Sequence, residues 1–90
     1  NTWPTYLKRF KQYLQLEKSL SVNSIEAYQD DLLKLMQFSE MHLGNQGPEK
    51  FTYKQLVQFI EWLSGIGISA ATQARIISGI KAFYKFLVLE

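Results

Sequence analysis

Apolar side chains recur with the 3.6-residue period of an α-helix along nearly the whole chain, and the two-residue alternation of strands is almost absent. This periodicity predicts four helices, over residues 4–18, 22–43, 52–64 and 69–89. The connections between them are short, so neighbouring helices are expected to pack as hairpins around one core. The chain is therefore predicted to be an all-α, four-helix orthogonal bundle in which residues 1–90 form a single domain.

Polar residues mark where three of the predicted helices begin. The segment 52–55, Thr-Tyr-Lys-Gln, has the pattern of a capping box at the start of the third helix. Ser21 or Asn23 is expected to cap the second helix, and Ser69 or Thr72 the fourth. Glycine and proline residues interrupt the pattern on both sides of the third helix, which predicts loops there.

The composition fits a small folded domain and excludes several classes of protein. Hydrophobic residues make up 47% of the 90 residues and aromatic residues 14%, which is enough for one core. The chain has no Cys and one His, so disulfide scaffolds and thiolate metal sites are excluded and no cofactor is expected. No apolar run approaches the roughly 18 residues of a membrane span. We expect a cytoplasmic protein without a membrane partner and, since the chain does not begin with Met, an excised piece of a longer one.

No group of side chains predicts catalysis. His42 is expected to be partly exposed at the end of the second helix, where a cation is favoured. Asp30 and Asp31 are adjacent and do not share a helix face, so together with Glu26 they are interpreted as a solvated acidic face. The segment 65–67, Gly-Ile-Gly, is not a phosphate-binding loop, because no strand precedes it and no suitably placed Lys follows. The chain is not expected to be an enzyme.

Two helices carry cations on one face, although the net charge of only +2 neither requires nor excludes a nucleic-acid partner. A basic face on the first helix can lie along phosphates or simply be solvated; it comprises Lys8, Lys11, Gln15 and Lys18. The outward face of the fourth helix carries small residues flanked by cations, namely Ala71, Ala74, Ser78 and Ala82 beside Arg75, Lys81 and Lys85. Such a face suits close approach to a phosphate backbone, or packing against another helix of the same protein. The pattern alone does not distinguish these two alternatives.

Two segments resemble the signatures of one known family. Residues 20–32, LSVNSIEAYQDDL, resemble the pattern LSxxTxxxYxxDL, and residues 67–87, GISAATQARIISGIKAFYKFL, are similar to GxSxxTxxRxLSxxRxFYxYL. Both patterns belong to the N-terminal core-binding domain of tyrosine recombinases, which are the phage-integrase and Xer-type site-specific recombinases. Residues 6–14 also match the family's first helix loosely, so the resemblance spans essentially the whole chain.

The resemblance implies a SAM-like helical domain that forms one half of a C-shaped clamp around double-stranded DNA during DNA integration and recombination. It implies that the catalytic Arg, Lys, His and nucleophilic Tyr belong to a separate domain that is absent from this chain, so that no residue here is catalytic. It also implies sister recombinase subunits as partners, in a tetramer on paired sites. The isolated chain is expected to be a monomer.

The resemblance further implies which side chains face the DNA. In the second helix these are Ser21, Asn23, Ser24 and Gln29. In the fourth helix they are Ser69, Thr72, Gln73, Arg75 and Lys81, and Lys85 joins them as a cation on the same outward face. The sequence departs from the family pattern in the second helix, where basic residues commonly stand in place of Gln29 and Asp30. Lys81 replaces a frequent Arg, which keeps the charge but loses the bidentate geometry.

The alternative to DNA binding is a function of a different class. The acidic face of the second helix and the low net charge also fit a helical protein–protein interaction module that does not bind DNA.

Overall fold

Four α-helices joined by short connections form the chain in the computed structural model, which describes residues 3–89. They are α1 at Trp3–Leu16, α2 at Val22–His42, α3 at Tyr53–Gly65 and α4 at Ala70–Leu89. Each helix begins and ends within two residues of its predicted bounds, and the all-α prediction is confirmed. Residues 1, 2 and 90 of the predicted domain lie outside the described range. A short 3₁₀ helix at Pro48–Lys50, within the connection from α2 to α3, was not predicted.

Local structure accounts for the start of α3 and the end of α1. The capping box of α3 is present, because the Thr52 side chain accepts from the Gln55 amide (3.2 Å) and the Gln55 side chain accepts from the Thr52 amide (3.0 Å). The helix α1 ends at Leu16, two residues earlier than predicted. Lys18 therefore lies in the turn and not on the helix, and Ser19 after it has a left-handed φ of 51°.

The core lies where the apolar faces of the four helices meet. The rings of Phe10 and Phe83 pack edge to face with centroids 5.2 Å apart, which joins α1 to α4. Phe38 of α2 and Phe86 of α4 are also buried. Full burial of one such side chain stabilises the fold by roughly 1.5–3 kcal/mol. The largest fully buried apolar side chains are Trp3, Phe10, Leu14, Leu32, Leu35, Phe59, Leu63, Ile76 and Phe83.

Gln46 fastens the connection between α2 and α3 to the rest of the fold. Its carbonyl accepts hydrogen bonds from Trp3 Nε1 (2.8 Å) and from Ser39 Oγ (2.6 Å). Its side-chain amide donates to Gln55 Oε1 (2.8 Å). One loop residue therefore ties together α1, α2 and α3 and satisfies polar groups that burial would otherwise penalise.

The described residues form one compact body in which α2 packs against the other three helices. The radius of gyration is 12.7 Å, close to the value of about 12 Å for a compact chain of this length. Within residues 3–89, no helix is both long enough and apolar enough to cross a membrane.

Candidate nucleic-acid interface

Helices α2 and α4 pack side by side and run in opposite directions. Asp31, in the middle of α2, lies against Arg75 and Gly79 of α4. Nearer the start of α2, Tyr28 lines a cavity with Ala82 and Lys85, which come later in α4. The two segments that carry the family resemblance are therefore neighbours in the fold, although a loop, a 3₁₀ helix and α3 separate them in the sequence.

A cleft of about 210 Å³ lies between these two helices. The residues that α2 supplies to it stand at positions i, i+3, i+4 and i+7, so they share one face of the helix. The cleft is lined by Ser24, Ala27, Tyr28 and Asp31 of α2 and by Arg75 and Ser78 of α4.

An ion pair joins the two sides of the cleft. Arg75 Nη1 lies 3.1 Å from Asp31 Oδ1 and donates a long hydrogen bond, 3.4 Å, to Asp31 Oδ2. The residue Asp31 is only 1% exposed, so its interpretation as part of a solvated acidic face is wrong. Glu26 and Asp30 are exposed, as predicted. Burial raises the pKa of the Asp31 carboxyl, and the Arg75 guanidinium acts in the opposite direction.

The burial of Asp31 depends on Gly79, and sequence reasoning missed both residues. A Cβ atom at Gly79 would lie 2.8 Å from Asp31 Oδ2, so only glycine leaves room for the carboxylate against α4. Two features of the sequence do indicate this contact. Asp31 lies three residues after Tyr28 and four before Leu35, on the inner face of α2. A glycine in a helix interior, between Ile76 and Phe83, indicates a close approach of another element.

The outward face of α4 is present largely as predicted. Its exposed small residues are Ala71, Ala74 and Ser78, whereas Ala82 is partly buried because it packs against the core. Arg75 stands on the edge of this face next to α2. Lys81 stands on the opposite edge and lines an apolar groove against α3. Lys85 is exposed farther along the helix.

Hydroxyl side chains cap both helices of the pair. Ser21 Oγ accepts from the Ser24 amide (3.3 Å) and donates to Ser24 Oγ (3.1 Å). Ser69 Oγ likewise accepts from the Thr72 amide (3.2 Å) and donates to Thr72 Oγ1 (3.0 Å). Of the alternatives predicted, Ser21 and Ser69 are therefore the capping residues, and Asn23 is exposed in the first turn of α2.

Both glutamines that were predicted to face DNA make hydrogen bonds within the fold. Gln29 Nε2 donates to the Leu7 carbonyl of α1 (3.1 Å), away from the cleft. Gln73 Nε2 donates to the Ile68 carbonyl (2.8 Å) and to Ser64 Oγ (3.0 Å), which fixes the turn between α3 and α4. These amides stabilise helix contacts in the structure, and their contact with DNA stays a prediction.

The remaining candidates lie apart from the cleft. His42 is exposed at the last residue of α2, where its ring centroid lies 5.2 Å from Phe38 and 6.3 Å from Trp62. Within residues 3–89, no three His, Asp or Glu side chains come together in a way that could hold a metal ion. On the predicted basic face of α1, Lys8, Lys11 and Gln15 are exposed. Lys18 Nζ lies 5.9 Å from the centroid of the Tyr13 ring.

Proteins of known family are similar to this chain over nearly its whole length. The chain is similar to the Tyrosine recombinase XerD of Chlorobaculum tepidum, with 35% identity over 88 residues that cover 98% of this chain and 28% of that protein. It is also similar to the Tyrosine recombinase XerD of Oceanobacillus iheyensis (31% over 84 residues, 93% of this chain and 28% of the relative). The Staphylococcus aureus protein of the same name is 35% identical over 88 residues, 96% of this chain and 29% of the relative.

This chain thus spans less than a third of the length of each of these relatives. No solved structure matches it. Residues 7–90 match the family described as "Phage integrase, N-terminal SAM-like domain", which is nearly the whole chain. The resemblance carried by the two sequence signatures is confirmed, and the chain belongs to the family of N-terminal SAM-like domains of phage integrases.

Proposed function

We propose that this chain binds double-stranded DNA through α2 and α4, as the DNA-holding N-terminal domain of a site-specific tyrosine recombinase. The observation that carries the proposal is the exposed face of α4, where small side chains lie between cations. Arg75 borders this face on the side of α2 and Lys81 on the side of α3.

The chemistry of this face suits a phosphate backbone. Side chains as small as Ala74 and Ser78 allow the helix axis to approach a duplex closely, while the longer Arg75 and Lys81 reach to either side. Sixteen residues separate Ser69 from Lys85, which corresponds to about 24 Å along the helix. Duplex DNA carries one negative charge per about 1.7 Å of its axis, so one helix of this length passes several phosphates.

Helix α2 contributes less to the proposed binding. Its N-terminal turn offers the hydroxyls of Ser21 and Ser24 and the exposed Asn23, at the end of the helix where the backbone dipole favours anions. Its exposed carboxylates, Glu26 and Asp30, repel phosphates. The proposal therefore assigns most of the affinity to α4.

In this account the domain holds DNA and does not cut it. Contacts to phosphates position a protein on a duplex without reading its sequence. Strand cleavage and rejoining, during DNA integration and recombination, are assigned to a separate domain of the whole protein. Sister subunits of that protein are its proposed partners on paired sites.

The salt dependence of binding tests the proposal. Fluorescence anisotropy with a labelled short duplex of random sequence would give the dissociation constant over a series of salt concentrations. Three phosphate contacts, from Arg75, Lys81 and Lys85, predict a log–log slope of about −2.7. Lys81→Gln should flatten that slope by about 0.9, and Lys50→Gln, on the 3₁₀ helix, is the charge-matched control. Binding that is absent, or that does not respond to salt, would contradict the proposal.

A helix-based protein–protein contact is the second candidate function. The groove between α3 and α4, about 280 Å³ in volume, is lined almost entirely by apolar side chains, and Tyr53 and Val57 on its rim are exposed. Such a groove suits an apolar partner surface. Self-association that depends on protein concentration, persists at high salt and is unaffected by DNA would favour this function.

A further inference from the structure

The fold buries the Asp31 carboxylate between α2 and α4. Its side chain is 2% exposed and lies against the backbone of α4 at Gly79. Any side chain at position 79 would collide with it, since a Cβ atom there would lie 2.8 Å from Oδ2 and 3.3 Å from Tyr28 Cδ1. The close packing of α2 on α4 therefore buries the carboxylate in the lining of the cleft.

The partner of this carboxylate is only half buried. The side chain of Arg75 is 50% exposed, and one of its nitrogens, Nη1, reaches both carboxylate oxygens. Within the part of the chain that the structure describes, Asp31 Oδ1 has no hydrogen bond. Arg75 is thus held at one end by a buried anion, while the rest of its guanidinium is open to a ligand in the cleft.

The ion pair between Asp31 and Arg75 is not expected to stabilise the fold. The pKa of the Asp31 carboxyl is raised because desolvation outweighs the attraction of Arg75 and Lys34, and Asp30 adds to the rise. A carboxylate buried in an ion pair commonly contributes no more to stability than an uncharged replacement of the same shape. What the pair does provide is a half-exposed guanidinium held in the lining of the cleft.

We propose that Asp31 is a positioning residue, which fixes the Arg75 guanidinium at the mouth of the α2–α4 cleft so that its remaining N–H groups meet a DNA phosphate. The inference rests on the proposed DNA binding and deepens it. A free arginine side chain loses much conformational entropy when it binds. Asp31 orders Arg75 before the DNA arrives, so binding no longer bears that cost. The anion is buried and the guanidinium lies outside it, so an approaching phosphate meets the cation first.

A double-mutant cycle tests this role in DNA binding. The variants are Asp31→Asn, Arg75→Gln and the two together, each titrated with a short duplex of random sequence at low salt. Asp31→Asn should weaken binding by on the order of tenfold, the factor that corresponds to freeing one arginine side chain. In the Arg75→Gln background the same change should have no effect, because there is no guanidinium left to position.

Asp30→Asn is the matched control, since it removes the same charge from the neighbouring, exposed position. It should leave binding unchanged or strengthen it slightly. The positioning role would be overturned if Asp31→Asn strengthened binding as a simple loss of negative charge, or weakened it equally with and without Arg75. In both cases the DNA-binding proposal would stand. If the unchanged chain showed no salt-dependent binding, both proposals would fail.

A second measurement needs no variant and no DNA. Nitrogen-15 NMR of the arginine side chains in the free chain reports whether each guanidinium rotates. Arg75 should show slow rotation, with its two terminal nitrogens resolved, because the Asp31 carboxylate holds Nη1. A freely rotating Arg75 guanidinium would overturn the positioning role, whatever the affinity for DNA.

Discussion

Arg75 Nη1 lies 3.1 Å from Asp31 Oδ1, and this ion pair joins the two signature segments of the chain across 44 residues of sequence. Arg75 occupies the arginine position of the pattern in α4, and Asp31 the aspartate position of the pattern in α2. Two motifs that look independent in the sequence therefore meet in one contact. That contact lies beside the face of α4 that we propose for DNA.

Replacing Arg75 should weaken DNA binding and reduce its salt dependence. Arg75→Gln removes one phosphate contact, so the log–log slope should flatten by about 1. Glutamine is preferred to alanine because its amide can still donate to Asp31, whereas alanine would leave a buried carboxylate without its partner. The measurement is the anisotropy titration over a salt series.

The other arginine of the chain provides the control for that variant. Arg9→Gln makes the same charge change on α1, where Arg9 lines a separate cavity with Tyr13 and Phe86. Its slope should match that of the unchanged chain. Equal flattening by the two variants would show that only the net charge matters, and would remove Arg75 from the proposed contacts.

Gly79→Ala should destabilise the fold, although alanine favours a helix over glycine by roughly 0.5–1 kcal/mol. The added Cβ would lie 2.8 Å from Asp31 Oδ2, and overpacking of this kind costs about 1–3 kcal/mol. A net loss of about 1 kcal/mol is expected in urea denaturation. Gly65→Ala is the control, because a Cβ at the end of α3 meets no atom within 4 Å. Equal stability of the two variants would mean that α2 and α4 leave room for a Cβ atom at position 79, contrary to the 2.8 Å approach to Asp31 Oδ2.

The stability of an Asp31→Asn variant should depend on pH in a defined direction. Burial raises the pKa of the Asp31 carboxyl above its ordinary value of 3.8, against the opposing effect of Arg75 and Lys34. Because the folded state holds this proton more tightly than the unfolded state, the contribution of Asp31 to stability declines as the pH rises through the folded pKa. Asp31→Asn should therefore raise the free energy of unfolding at neutral pH, and this gain should disappear below pH 3.8.

Urea denaturation over a pH series measures that difference. Asp30→Asn controls for removal of a carboxylate from the exposed side of α2. A variant Asp31→Asn that is less stable than the unchanged chain at neutral pH would show that the ion pair stabilises the fold, contrary to this prediction.

Gln55→Ala should destabilise the start of α3. The Gln55 side chain accepts from the Thr52 amide and also pairs with the Gln46 side chain, so its removal breaks the capping box and frees the loop. Loss of an N-cap side chain costs about 0.5–2 kcal/mol, and a loss of this order is expected here. Gln58→Ala, at an exposed position of the same helix, should stay within about 0.5 kcal/mol of the unchanged chain. Thermal unfolding of the two variants side by side would show the difference.

Local chemistry made most of the fold predictable from the sequence. The helix period and the capping pattern act within a few residues, so the four helices and the Thr52–Gln55 box follow from the sequence alone. The choice of Ser21 over Asn23, and of Ser69 over Thr72, needed the structure, because each pair offers equally suitable oxygens near the same helix start.

The candidate site was less predictable because it depends on contacts between helices. The helix period places Asp31 on the inner face of α2 and Asp30 away from it, but only the close approach of Gly79 shows that the Asp31 carboxylate is buried against α4. Gln29 is a comparable case, since its hydrogen bond to the Leu7 carbonyl depends on how α1 crosses α2. Periodicity assigns a residue to a helix face, but it does not say which partner that face meets.

The most direct test of the DNA-binding account is an NMR titration of the isotope-labelled chain with a short duplex of random sequence at low salt. The account predicts amide shifts along residues 69–85 of α4 and at the first turn of α2, reversed when salt is added. Shifts confined to the basic face of α1, around Lys8 and Lys11, would contradict it, and so would a spectrum that DNA leaves unchanged.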